Sequence, residues 1–103
     1  MSPAKISRRA ERDLEEIRDY IAAENTEAAE RVWQAFLDTA DVLARNVEIG
    51  RHILNASPRY ADVRWFVVPH FRHYLLFYRP FQDTILVLRL LHASQDWTRF
   101  FGK

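Results

Sequence analysis

The stretch RHYLLFYRPFQDTILVLRLLH, residues 72–92, constrains the fold more than any other part of the chain. Two runs rich in β-branched and aromatic residues flank the polar break PFQD, the pattern of two strands joined as an antiparallel hairpin. Side chains on a strand alternate between faces. Along 84–92 strict alternation puts Ile85, Val87, Arg89 and Leu91 on one face and Leu86, Leu88, Leu90 and His92 on the other. Both faces are apolar, so both need a cover. VRWFVV at 63–68 supplies a further strand, and the short connection PHF lets 63–68, 72–79 and 84–92 form an antiparallel meander. Pro69 and Pro80 cannot donate to a ladder and are expected to end strands.

Upstream the periodicity is helical. In RRAERDLEEIRDYIAAE the apolar residues Ala10, Leu14, Ile17 and Ile21 align as a stripe, while Arg12, Glu15, Glu16 and Asp19 face water. AKIS at 4–7 is a short strand, and Ser7 is placed to cap the helix. Asn25 or Thr26 caps a second helix with the stripe Ala29, Val32, Trp33, Phe36, Ala40 and Leu43. So short a break makes the two helices an antiparallel αα-hairpin. NVEIGRHILNASPRYAD then reads as a long connection with turn chemistry at Gly50, Asn55, Ser57 and Pro58. The expected fold class is α+β, in the order βααβββ, with the helical hairpin on one face of a mainly antiparallel sheet. The hairpin covers only one face. The tail ASQDWTRFFGK is apolar enough to cover part of the other, and an uncovered remainder would mark a surface for a partner protein.

At 103 residues the chain fits a single domain spanning 1–103. Its 49% hydrophobic and 28% charged residues are those of a globular protein, and no apolar run reaches the roughly 20 residues of a membrane span. MSPAKIS lacks the apolar stretch of a secretory signal, so the expected location is the cytoplasm. The absence of cysteine excludes disulfides, thiolate ligands and a thiol nucleophile. No histidine-carboxylate metal motif occurs, and neither a metal nor a cofactor is expected. The formal charge of +1 hides an asymmetry: residues 1–49 hold seven Lys/Arg against eleven Asp/Glu, and residues 50–103 hold eight against three together with all four histidines. The basic half would attract an acidic partner or phosphate; a solvated surface of uneven charge is the plainer reading.

Three segments, AERDLEEIRDYIAAENTEAAERVW, GRHILNASPRYADVRWFVVPHFRHYLLFYR and ILVLRLLHASQDW, resemble the RelE/ParE superfamily of toxins from bacterial type II toxin-antitoxin systems, and its ParE branch more closely. The pieces that carry the likeness are FYR (77–79), LRLLH (88–92) and the spacing of His92, Ser94 and Asp96. The resemblance implies a toxin neutralised by a small ParD-like antitoxin whose C-terminal segment wraps it, hence a hetero-oligomer. It implies no membrane and no sequence-specific nucleic-acid binding by the chain alone. ParE-like members poison DNA gyrase without catalysis; RelE-like members are ribosome-dependent messenger RNA endonucleases. A third possibility is an inert homologue that acts only within the antitoxin complex.

RNA cleavage needs a general base, a general acid and cations on the phosphate. Arg64, Arg72 and Arg89 come from three expected strands and would form a phosphate clamp if register gathers them, with His92 as proton carrier. Tyr74 and Tyr78 lie nearby. The chain end instead offers Trp97, Phe100 and Phe101, none of which moves a proton. The expectation is therefore no catalytic residues, with Arg64, Arg72, Arg89, Trp97, Arg99, Phe100 and Phe101 as contacts to partners. Each has a structural alternative. Arg89 in an apolar strand suits an internal ion pair, His92 suits a turn fixed by Ser94 or Asp96, and Trp33, Phe36 and Trp65 suit the core.

Overall fold

The computed structural model describes residues 3–103. Its order is β1 (Lys5–Ile6), α1 (Arg8–Ala22), α2 (Thr26–Arg45), β2 (Arg51–His52), β3 (Arg64–Val67), β4 (Tyr74–Phe81), β5 (Thr84–His92) and α3 (Thr98–Phe101), with single 3-10 turns at Val47–Ile49 and Pro58–Tyr60. The five strands make one sheet in the order β1-β5-β4-β3-β2, with β1 parallel to β5 and the other pairs antiparallel. This is the α+β arrangement expected, with the meander intact. The segment expected to be a plain connection contributes the edge strand β2, whose Arg51 and His52 pair with Trp65 and Arg64. Among the described residues no helix is long and apolar enough to cross a membrane.

Local chemistry sets the helix ends. Ser7 Oγ accepts from Ala10 N–H at 3.1 Å and donates to the Leu88 carbonyl at 3.1 Å, so one hydroxyl caps α1 and ties it to the sheet. Asn25 caps α2 by accepting from Ala28 N–H at 3.0 Å. Ala10 and Leu14 of α1 and Ala29, Val32, Phe36, Ala40 and Leu43 of α2 are buried, as their spacing predicts. Trp33 is only half-buried, with the Arg18 guanidinium 4.3 Å from its ring centroid.

Two corrections concern the strands. A β-bulge at Phe77/Tyr78 leaves Leu88 unpaired in the ladder, so Phe77 pairs with Arg89 and Tyr78 with Val87. Alternation slips by one there. Ile85, Val87 and Leu90 therefore join the core under the helices with Leu76 and Tyr78, while Leu88 and Leu91 join Leu75 and Phe77 on the other face. Pro80 does not end β4; it pairs with Ile85. Since β3 reaches only as far as Tyr78, the other flank of Pro80 has no neighbouring strand that would need its N–H. Arg72 and His73, expected on this strand, lie in the turn before it.

The second face is covered by the chain itself. Ile53 and Val63 from the connection and Phe101 from α3 are buried against Phe77 and Leu91, with Tyr60, Trp97 and Phe100 packed around them. The Phe101 ring stacks on Phe77 at 4.9 Å and meets Tyr60 edge-on at 5.2 Å. Ser57 N–H donates to the Phe101 carbonyl at 2.8 Å, which fastens the tail to the connection. The tail covers part of this face as expected, and the connection, read only as a link, covers more of it, so a partner is left less than a whole apolar sheet face.

Candidate functional site

The candidate site is the basic half of the sheet with the tail beside it. Its arginines are not gathered. Arg89 turns to the sheet edge, where β1 has already ended, and its Nε and Nη2 donate to the Asp13 carboxylate at 2.8 and 3.1 Å. The same carboxylate accepts from Leu90 N–H at 3.0 Å, replacing the missing strand partner, and Arg9 stands 3.7 Å away. The Phe100 ring covers the guanidinium from another side at 4.4 Å. Asp13 and Arg89 are 5% and 13% exposed, so this is an internal ion pair, and the structural alternative for Arg89 holds.

Arg64 is equally committed. Its Nη1 donates to the carbonyls of Glu48 and Gly50 at 2.9 and 2.8 Å. Beside it the buried Tyr78 hydroxyl donates to the Val47 carbonyl at 2.8 Å and accepts from Gly50 N–H at 2.9 Å. Burial pushes the Tyr78 phenol above its ordinary value of 10.0, opposed in part by the Gly50 bond and the Arg64 charge. Arg64 and Tyr78 thus clamp the turn that leads into β2. Gly50 is required there, because an added Cβ would lie 2.8 Å from Tyr78 Cε1 and collide with the hydroxyl. Arg79 does similar work for the 58–62 turn, bonding Asp62 at 2.6 Å and the Arg59 carbonyl at 2.6 Å. That bond holds the Asp62 carboxyl below its usual range.

His92 closes β5 with its ring committed to a turn. Nδ1 accepts from Ser94 N–H at 3.0 Å with Ser94 Oγ at 2.7 Å, and the His92 N–H donates to Gln95 Oε1 at 2.8 Å. Accepting at Nδ1 leaves the proton of the neutral ring on Nε2. The ring stacks on His73 at 5.6 Å and meets Tyr74 edge-on at 5.4 Å. Asp96 serves the tail: its Oδ1 accepts from the N–H and hydroxyl of Thr98 at the start of α3.

Of the expected partner contacts, Arg72 and Arg99 are exposed, and Trp97 is half-buried. Phe101 is core and does not reach a partner without unseating the tail, whereas Phe100 is half-buried and packs against Arg89. Sequence reasoning missed a cleft of about 350 Å³ between β2 and the tail, lined by Arg51, His52, Leu54, Trp65 and Trp97. Arg51 sits 5.8 Å from the Trp65 ring centroid, and Leu54 is 77% exposed. The signal was available in the cation and histidine of GRHIL, which a strand reading would have set opposite the RW of 64–65. Asp13 was missed too, although its position three residues after Ala10 and next to Leu14 already puts it on the buried stripe. Among the described residues no group of three or more His, Asp or Glu side chains is placed to hold a metal ion.

Comparison with known proteins places this geometry. A relative named Toxin RelE3, from Caulobacter vibrioides, is 28% identical over 96 residues, covering 92% of this chain and 98% of that protein. A solved structure described as the chromosomal ParDE TA system from P. aeruginosa superposes with a TM-score of 0.71 at 24% identity, covering 89% of this chain and 96% of that one, and so shares the fold. The family model described as the ParE toxin of the type II toxin-antitoxin system parDE matches residues 4–97, and on that match the chain belongs to the ParE toxin family.

Proposed function

We propose that this chain is the toxin of a type II toxin-antitoxin pair, held inactive in a complex with a cognate ParD-like antitoxin, and that when released in the cytoplasm it poisons DNA gyrase by binding rather than by catalysis. The observation that carries the non-catalytic reading is the commitment of Arg64, Arg89 and His92, three of the four groups expected of a ribonuclease. Arg64 is engaged by two carbonyls, Arg89 by Asp13 and Phe100, and His92 Nδ1 by Ser94. A phosphate clamp needs uncommitted cations converging with a proton carrier, whereas Arg64 and Arg89 have separate duties and Arg72 lies apart from them in the turn before β4. Family membership supports the toxin role and the antitoxin partner. Exposed Arg72 and Arg99 and the half-buried Trp97 are the contacts assigned to partner or target.

Induction of the chain without antitoxin tests this in cells. Growth arrest with filaments and an induced DNA-damage response is expected, and co-expression of the antitoxin restores growth. Arrest accompanied by cleavage of messenger RNA on ribosomes, with chromosome supercoiling intact, would instead establish the endonuclease reading. Normal growth would identify an inert homologue.

A further inference from the structure

Resting on the gyrase reading, we propose that the cleft between β2 and the tail is a site for single-stranded DNA, holding an unstacked base against Trp65 and Trp97 with the adjoining phosphate on Arg51. Three observations converge on this ligand. The cleft is lined by two indole side chains together with Leu75 and Phe77, and stacking on aromatic faces holds bases without regard to sequence. At its mouth the exposed Arg51 guanidinium has no carboxylate partner among the described residues, so it keeps its donors for an anion. No aspartate or glutamate lines the cleft, and the nearby carboxylates are engaged, Asp62 by Arg79 and Asp96 by Thr98.

Charge points the same way. The cleft is built wholly from the half of the chain that carries eight Lys/Arg against three Asp/Glu. An acidic peptide is the competing occupant, but β2 is two residues long and offers few backbone groups for pairing with a peptide strand. Ring stacking and one cation describe a nucleotide better. In a complex with gyrase, the ligand is a distorted or broken strand of the DNA the enzyme holds.

The full-length toxin is titrated with short oligothymidylate while tryptophan fluorescence is read. Quenching is expected, with log Kd rising with log salt at a slope on the order of 1, as for one or two phosphates. Arg51→Gln and Trp97→Leu are each expected to weaken binding about tenfold. Arg51→Gln alters an exposed side chain and decides the case if Trp97→Leu does not fold. Absence of quenching, unchanged affinity in Arg51→Gln, binding of oligouridylate but not oligothymidylate, or displacement of oligothymidylate by a poly-glutamate peptide would each overturn the assignment. A toxin that inhibits gyrase yet fails to bind the oligonucleotide sinks this inference alone; one that binds it yet leaves gyrase untouched sinks the gyrase reading alone.

Discussion

Asp13 serves four groups with one carboxylate: two donors of Arg89, the Leu90 N–H at the open edge of β5, and Arg9 beyond them. Removing it leaves a nearly buried guanidinium and a strand N–H unpaired. Asp13→Ala should therefore cost about 3–5 kcal/mol in urea unfolding, whereas replacing Asp13 and Arg89 together with apolar residues should recover much of the loss. A cost below about 1 kcal/mol for the single change would show that water serves Arg89 equally well. The sequence made Arg89 visible as a cation in an apolar strand but not its partner, because the ion pair joins residues 76 positions apart. Tyr78 gives a second test at this scale. Tyr78→Phe strips partners from the Val47 carbonyl and Gly50 N–H and should cost about 2 kcal/mol. Because the folded state raises the Tyr78 phenol, its neutral form stabilises the fold below the unfolded value of 10.0, and that contribution is lost as pH rises through and beyond it. The variant should accordingly show a smaller loss of stability above about pH 10 than the wild type, read as the shift of the urea midpoint with pH. An unchanged alkaline profile would mean that the hydroxyl is not held as described.

At the scale of elements, the helices and the three long strands were legible because periodicity repeats over many residues. β5 spans Thr84–His92, the run read from composition alone. Features set by one residue or by distant pairing were not. The bulge opposite Leu88 exchanges the faces of everything after it, and nothing in TILVLRLLH announces it. β2 is two residues long and exists through pairing with β3. The tail was read correctly as apolar enough to fold back, but not as finishing a core. Its placement makes a prediction: a chain ending at Asp96 loses Phe101 from between Phe77 and Tyr60 and loses the Phe100 cover of Arg89. That truncation should lower the melting temperature by more than about 10 °C and bind a hydrophobic dye, since deleting a buried phenylalanine alone costs about 3–5 kcal/mol. A truncated chain as stable as the full one would mean that the tail is dispensable to the second core.

For the whole molecule, the sheet carries a core on each face: helices on one side, the long connection and tail on the other. Three cations of the sheet, Arg64, Arg79 and Arg89, brace this second layer and the sheet edge. What remains for partners is narrower than an apolar sheet face. It is the cleft beside β2, together with exposed Arg72 and Arg99. The charge split between the halves was legible; its division into committed and available groups was not, because that depends on which carboxylates and carbonyls the fold brings near. On the proposed function such a molecule acts by docking onto gyrase. Purified gyrase relaxing or supercoiling a plasmid under increasing purified toxin is the direct measurement. Lost supercoiling with accumulation of cleaved plasmid, reversed by prior addition of antitoxin, is expected; full supercoiling at saturating toxin, with ribosome-bound messenger RNA cut in a parallel translation reaction, would overturn that reading.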